Sequence, residues 1–492
     1  VSDVLIVFGT ASNVGKSWLC TGLCAAARAR GIAVAPFKAR NLSNNAAPAR
    51  TPDGAWGEVG RAQAAQAEAA GLAPTTDMNP ILLKAGGATG TQLIVHGRPE
   101  PLASLSPERA HAVATAALDQ LLDAHELVVV EGAGSPVELN LQDRDLANVP
   151  IARHAIRAAA GRGGRARILI VADISEGGVF ASVLGTLALL PEDLRRAVAG
   201  VVINRFQGEP RFFAPGPALL AERAGVPVLG IVPDRPDIHV DAEDLVDAPD
   251  RAGAGPLDVC VLRLPSVASF DDLAALARVD GLSVRFVDEA EAVGWPDLLV
   301  VPGARDPLAE RVWLAERGLD TVVVALARAG VPILGICGGY QLLGERLDDA
   351  DGAAGSRGER AGLGLLPVET HFRAEKTVQP ARGETTGHWL LPEGLAVSGY
   401  EIHHGQSHGT APPLLTLDGR PEGAVQGSVA GSYLHGLLDE APVREALVGA
   451  LSQRRGLPAV GASPGGAAAA RSAGHDALIV LLENHLDLDA LL

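Results

Sequence analysis

The run Gly9-Thr10-Ala11-Ser12-Asn13-Val14-Gly15-Lys16-Ser17 constrains this chain more than any other stretch. An apolar segment, residues 4–8, precedes it and reads as a buried strand. Leu19, Gly22, Leu23, Ala26 and Ala27 follow it at helical spacing. Strand, glycine loop and helix is the context a phosphate cradle needs. Backbone N–H groups at the helix N-terminus point at the anion, and the helix dipole favours negative charge there. Thr10, Asn13, Gly15, Lys16 and Ser17 are therefore the expected phosphate-binding residues. Lys16 would hold the terminal phosphates of ATP as a compact cation, and Ser17 would ligate Mg²⁺. The strict G-x-x-x-x-G-K-[ST] pattern wants glycine at position 10, where this chain has Thr10.

Only four lysines occur (Lys16, Lys38, Lys84 and Lys376), against 41 − 4 = 37 arginines. A lysine kept in such a chain marks a place where a point charge is wanted and a planar fork is not. That reading suits the first three; for Lys376 a leftover surface lysine is the expectation. The formal charge of −17 argues against a nucleic-acid binder, which needs a basic stripe. Four cysteines in 492 residues make no disulfide framework and fit a reducing compartment. A strand within four residues of the first leaves no room for a signal peptide, and no apolar run is long enough to span a bilayer. The expected setting is cytoplasmic, away from membranes; oligomeric state is not legible.

Further strands end in polar residues. Residues 33–37 lead to Lys38, Arg40 and Asn41, where Lys38 would neutralise charge on a phosphate or a substrate carboxylate. Residues 58–70 read as a helix. Residues 127–130 end at Glu131, a carboxylate suited to Mg²⁺, followed by Gly132-Ala133-Gly134. The polar cluster of residues 138–145 offers Asp143 and Arg144, with Asn41, as substrate-binding candidates. Residues 200–203 end at Asn204, whose amide can read an adenine edge. Five or six such β-α units predict a doubly wound, mostly parallel sheet over residues 1–246.

Residues 247–256, rich in Pro, Gly and Ala, read as a linker. A second α/β domain is expected over 257–450, followed by a mobile loop and a C-terminal helix over 451–492. Residues 348–362 also read as a mobile loop. In the second domain a strand runs into Gly335-Ile336-Cys337-Gly338-Gly339-Tyr340-Gln341. This has the logic of a nucleophile elbow, in which the neighbours of a strained nucleophile must be small. Cys337 is the expected nucleophile and His435 its base, with the N–H of Gly338 and one near Gly303 as the oxyanion hole. A metal pair at His403 and His404 is disfavoured, because no further ligands complete it.

The loop form Gly-Thr-x-Ser-x-Val-Gly-Lys-Ser resembles the dethiobiotin synthetase group of carboxylate-activating enzymes; the front-of-loop lysine of partition ATPases is absent. Pro36-Phe37-Lys38 with Asn41, Gly60-Arg61-Ala62-Gln63, Met78-Asn79-Pro80, the stretch from Val130 through Glu131 to Pro136, and Gly177-Gly178-Val179-Phe180-Ala181 together resemble the cobyric acid synthase family along nearly the whole chain. The family usually has an Asp-Arg pair where Ser175-Glu176 stands, Gln where Arg40 stands, and Lys-Asn-Thr where this chain has Arg305-Asp306-Pro307. The run Gly431-Ser432-Tyr433-Leu434-His435-Gly436 resembles the catalytic histidine motif of class I glutamine amidotransferases. Many of those carry a glutamate two residues beyond the histidine; Leu437 stands here, and the cobyric acid synthase pattern also lacks that glutamate, so the group orienting His435 stays open. His403 sits in a Tyr-Glu-Ile-His element read as structural or glutamine-positioning. The resemblance implies ATP- and L-glutamine-dependent amidation of a corrinoid: the b, d, e and g carboxylates of adenosylcobyrinic acid a,c-diamide. The residues alone reach only ATP-driven, glutamine-fed amidation of an acid. Alternatives are an a,c-diamide synthase, an amidase of another acid, a nucleotide switch with an inactive glutaminase half, or a glutamine sensor.

Overall fold

The computed structural model describes residues 1–85, 90–238, 240, 253, 255–268, 271–458 and 466–492, without the side chains of Asp143, Arg144, Asp271 and Ala467. Most of the expected linker, 247–256, lies outside the described residues, as do 459–465 of the expected C-terminal loop.

The first sheet orders its six strands Val228–Pro233, Val198–Phe206, Ala166–Asp173, Asp3–Gly9, Leu127–Glu131, Val34–Phe37, and every pairing is parallel. Val4, Ile6 and Phe8 face one apolar cluster while Leu5 and Val7 face another. Helices cover both faces, which is why the strand reads as unbroken apolar sequence and shows no alternation. The register aligns strand ends: Val7 lies beside Glu131, and Asp173 beside Asn204. Ligand groups therefore gather along one edge, beyond the C-terminal ends of the strands.

The second sheet runs Leu282–Val287, Leu257–Leu262, Leu298–Val301, Ile333–Ile336, Val429–Ser432, Ala424–Gln426, parallel except for the last pair. Against it stands a long antiparallel hairpin, Val368–Thr386 with Glu393–Gly409. Both halves are thus α/β with mostly parallel sheets.

Several expectations change. Glu58 lies in a strand, Trp56–Gly60, paired with Ala46–Arg50, and the helix starts only at Arg61. Residues 348–362 are no open loop: Arg346–Asp349 and Gly358–Ala361 pair as a hairpin, and the Asp349 carboxylate accepts from the N–H groups of Ala353 and Ala354. The C-terminal helix is Ala467–His485, longer than expected, followed by Leu488–Leu491. Its Leu478, Leu481 and Leu482 pack with Leu19, Leu23 and Val7 of the first half. The preceding helix, Ala441–Arg455, buries Leu447 and Leu451 in the second half. The chain therefore returns to its first domain to finish.

Two small sheets of the first half reach the second. One orders Arg40–Leu42, Ile81–Lys84, Gln92–Val95, Arg98–Glu100; the other is the Ala46–Arg50 hairpin. Ala46, Leu82 and Ile94 from these sheets form one apolar cluster with Ile402, Val378 and Tyr400 of the long hairpin. This seam fixes how the two sites face each other.

Candidate active sites

The phosphate loop is built as its sequence suggests, with one shift. Asn13 and Gly15 take positive φ, 59° and 88°, and the helix Lys16–Ala29 begins directly after. Thr10 needs no positive φ; its N–H donates to Val171 O at 2.9 Å. The steric demand falls on Gly9, where a Cβ would lie 2.8 Å from Lys16 Nζ and from Ala11 O. Lys16 Nζ curls back to donate to Ala11 O at 2.9 Å. Ser17 Oγ donates to Glu131 Oε1 at 2.8 Å, and Lys38 Nζ pairs with that same oxygen at 2.8 Å. Gln66 Nε2 donates to Glu131 Oε2 at 2.6 Å. A hydroxyl and a single carboxylate on one spot are hard oxygen donors of the kind Mg²⁺ takes beside phosphate oxygens.

Asn204 donates its amide to Val14 O at 2.9 Å, so that donor braces the loop; the residue also lines the cavity. Asn41 donates to Gln63 Oε1 at 2.9 Å and lines the same cavity. The backbone of Leu139–Arg144 forms a 3₁₀ turn, and the side chains of Asp143 and Arg144 lie outside the described residues. Asn148, not singled out from sequence, accepts from Ala133 N and donates to Ala133 O, holding the glycine turn after Glu131. The cavity is open-mouthed, about 1240 Å³, and also carries Arg40, Ser175, Arg205 and Arg235.

The second cavity is much smaller and contains Cys337, His435, Gly303, Gln341 and His403. Cys337 has φ 48° and ψ −106°, a conformation unfavourable for any side-chain-bearing residue, at the junction of Ile333–Ile336 and Gly338–Leu343. Its glycine neighbours answer steric need: a Cβ on Gly338 would lie 2.5 Å from Ala304 O. Gly303 and Ala304 line the cavity, and Gly338 packs against the Ala304 backbone. Pro307, which has no N–H, opens the helix Pro307–Glu316, where that N–H would have no partner, and Asp306 caps the helix through Ala309 N. Burial pushes Cys20 and Cys24 well up, and Cys260 to about 12; all three sit in apolar cores, whereas Cys337 faces a cavity.

The group that orients His435 is Asp272, on the helix Asp271–Ala277. Asp272 Oδ2 lies 2.8 Å from His435 Nδ1, and Oδ1 accepts the N–H of Gly436. Burial opposes a charged imidazole, but the Asp272 carboxylate and a hydrogen bond to the Cys337 thiol overcome it and lift His435 to about 10. Tyr400 stacks on the ring, with centroids 5.1 Å apart, and exchanges backbone hydrogen bonds with His435. Asp272 is 163 residues from His435 and carries no local motif. His403 stacks on Tyr433 at 3.8 Å, and its Nδ1 lies 2.7 Å from Gly405 O. Among the described residues no cluster of three or more His, Cys, Asp or Glu could hold a metal.

Lys376 is not a surface lysine. It is buried and pairs with Glu58 at 2.5 Å, and Lys84 pairs with the other oxygen of the same carboxylate. Both lysines line the Cys337 cavity together with Asn44 and Gln92 of the first half.

Comparison with known proteins follows the same division. Residues 5–245 match the CobQ/CobB/MinD/ParA nucleotide binding domain family, and residues 258–443 the CobB/CobQ-like glutamine amidotransferase domain family. The chain is similar to the cobyric acid synthase of Desulforudis audaxviator, 42% identical over 99% of this chain and 98% of that one. It is also similar to that of Chloroflexus aurantiacus, 44% identical over 89% of each.

Proposed function

This chain belongs to the cobyric acid synthase family, and from that premise we propose which residues run its ATP- and glutamine-dependent amidation and on what acid. The acceptor is a corrinoid, adenosylcobyrinic acid a,c-diamide, amidated at its b, d, e and g carboxylates in the cytoplasm. The observation that carries this is the size of the nucleotide cavity, about 1240 Å³. Small-molecule sites occupy roughly 300–1,000 Å³, so the cleft exceeds what ATP alone needs. Arg40, Arg205 and Arg235 on its wall suit an acceptor rich in carboxylates.

In the glutaminase cavity Asp272 orients His435, which takes the proton of the Cys337 thiol. Sγ attacks the glutamine side-chain carbonyl while Gly303 and Gly338 donate to the oxyanion. The C–N bond breaks, the nitrogen takes the His435 proton, and ammonia departs. Neutral His435 then draws a proton from water, which hydrolyses the thioester to glutamate.

In the phosphate cavity the loop N–H groups, with Thr10, Asn13 and Gly15, hold the ATP phosphates, and Lys16 and Lys38 balance charge on the γ-phosphoryl as it moves to a carboxylate oxygen. Ser17 and Glu131 would hold Mg²⁺, which adds charge neutralisation at the phosphates. Asn204 keeps the loop in register beneath the nucleotide. Asn41 lies where the acceptor would bind; Asp143 and Arg144 stay candidates from sequence for the same role. Ammonia attacks the acyl phosphate, phosphate leaves, and the amide remains.

Mass spectrometry of the product tests the acceptor. Each amidation replaces OH by NH₂ and lowers the mass by almost one unit, so successive additions on the diamide are counted directly. No mass change on the diamide, with turnover on a different acid, would overturn the corrinoid reading.

A further inference from the structure

Strand alternation carries the seam between the halves into the Cys337 cavity. Leu82 and Ile94 lie in the apolar seam, and two residues along the same strands Lys84 and Gln92 line the cavity. Leu82 pairs with Ile94 across the strands, and Lys84 with Gln92. Residues two apart share a strand face, so this face is apolar at the seam and polar at the cavity. On the long hairpin Val378 and Ile402 pair at the seam, and Lys376 and His404, two residues along each, line the cavity. Gln92 Nε2 lies 3.5 Å from His404 Nε2, and Arg305 Nη2 donates to Gly90 O at 2.9 Å, so the wall is joined across the two halves.

This wall carries polar groups that breaking the amide does not use. Lys84 and Lys376 reach the cavity, and behind them Glu58, fully buried, gives one oxygen to each. Burial opposes the charge on Glu58, yet the two lysines hold it down to about 2. The carboxylate therefore fixes where both amines end. Burial brings Lys84 down to about 8 against the pull of Glu58. An amine donates hydrogen bonds in either protonation state, and each has donors beyond the one Glu58 takes. Asn44 Oδ1 is buried on the same cavity without a hydrogen-bond partner, an arrangement that costs stability until a donor meets it.

Two amine donors and an unpaired acceptor match the head of an amino acid, a carboxylate beside an ammonium. The amide that Cys337 attacks belongs to such a molecule. We propose that the ATP-binding half completes the glutamine site, with Lys84 and Lys376 donating to the α-carboxylate and Asn44 Oδ1 accepting from the α-ammonium. This rests on Cys337 as the nucleophile. Glutamine is then held at both ends, its amide at the thiol of the second half and its head against the first. Amides without that head, including those the enzyme itself makes, leave Asn44 and the lysines unpaired and are poor substrates.

Kinetics of the full-length enzyme on three amides test this, each followed by ammonia release: glutamine, γ-aminobutyramide, which lacks the carboxylate, and glutaramate, which lacks the ammonium. Lys84→Met and Lys376→Met should each lower glutamine kcat/KM about tenfold or more, through KM, and leave γ-aminobutyramide no worse. Asn44→Ala should lower glutamine kcat/KM about tenfold and leave glutaramate unchanged. Asn44→Ala strands no buried charge, so it tests the site even where a lysine variant leaves Glu58 short of a partner and folds poorly. Equal losses on all three amides, as a packing role would give, or an unmoved glutamine KM would overturn the site. A wrong acceptor would leave these ratios standing, and a wrong nucleophile would appear as glutamine use surviving in C337A.

Discussion

The two cavities are made in opposite ways. The phosphate site is built from nine consecutive residues and the strand tips at Lys38, Glu131 and Asn204, with Lys16, Ser17 and Glu131 meeting at the edge of one parallel sheet. The glutaminase site gathers Cys337, His435 and Asp272 from three distant segments, and its outer wall comes from the other domain. One site is a wide cleft and the other a narrow chamber. A local loop can be read as a motif. A site closed by another domain works only when the halves are docked, so its failures should separate by reaction, not by domain.

Replacing Cys337 with alanine should separate the sites most sharply. Glutamine-driven amidation is expected to fall about 10³-fold or more, while added ammonia still supports amide formation. Parallel loss of both rates would mean that the cysteine serves the other site as well. Lys16→Ala is the mirror test. Amidation from either nitrogen source should drop roughly 10²-fold, as when a preorganised donor is lost, with glutamate release kept.

Asp272→Asn should lower glutamine kcat/KM about tenfold to 10²-fold through its effect on His435. The raised folded-state value, near 10, means that the proton His435 gives to the leaving nitrogen is present at lower pH and lost as pH rises through that value. Without the carboxylate that value falls, so the alkaline limb of the glutamine profile should move to lower pH. An unmoved limb would show that Asp272 only packs. Leu482→Ala should have the smallest effect on turnover. It empties a buried site shared with Leu19 and Leu23 and should destabilise the first half by about 2–5 kcal/mol. Calorimetry should then show the ATP-protected transition shifting alone; a shift of the other transition would place the terminal helix differently.

Unbroken apolar runs made the parallel strands legible, and glycine flanking made Cys337 legible, because both are short-range demands of backbone and packing. Glu58 reads as helical from the sequence yet lies in a strand, since the small residues before Arg61 fit either period. Residues 348–362 looked loose because glycine content hides the Asp349 and Asp306 carboxylates that fasten them.

By itself the sequence determined a phosphate loop, a thiol on a tight turn, a histidine that could serve it, and two α/β halves in that order. Each follows from residues within one turn or strand of each other. Only the tertiary structure decided that Asp272 steadies His435, that Lys376 is buried against Glu58, and that the last helix packs on the first domain. Those pairings join segments more than a hundred residues apart, and an aspartate or lysine carries no mark of a distant partner until packing removes the water between them.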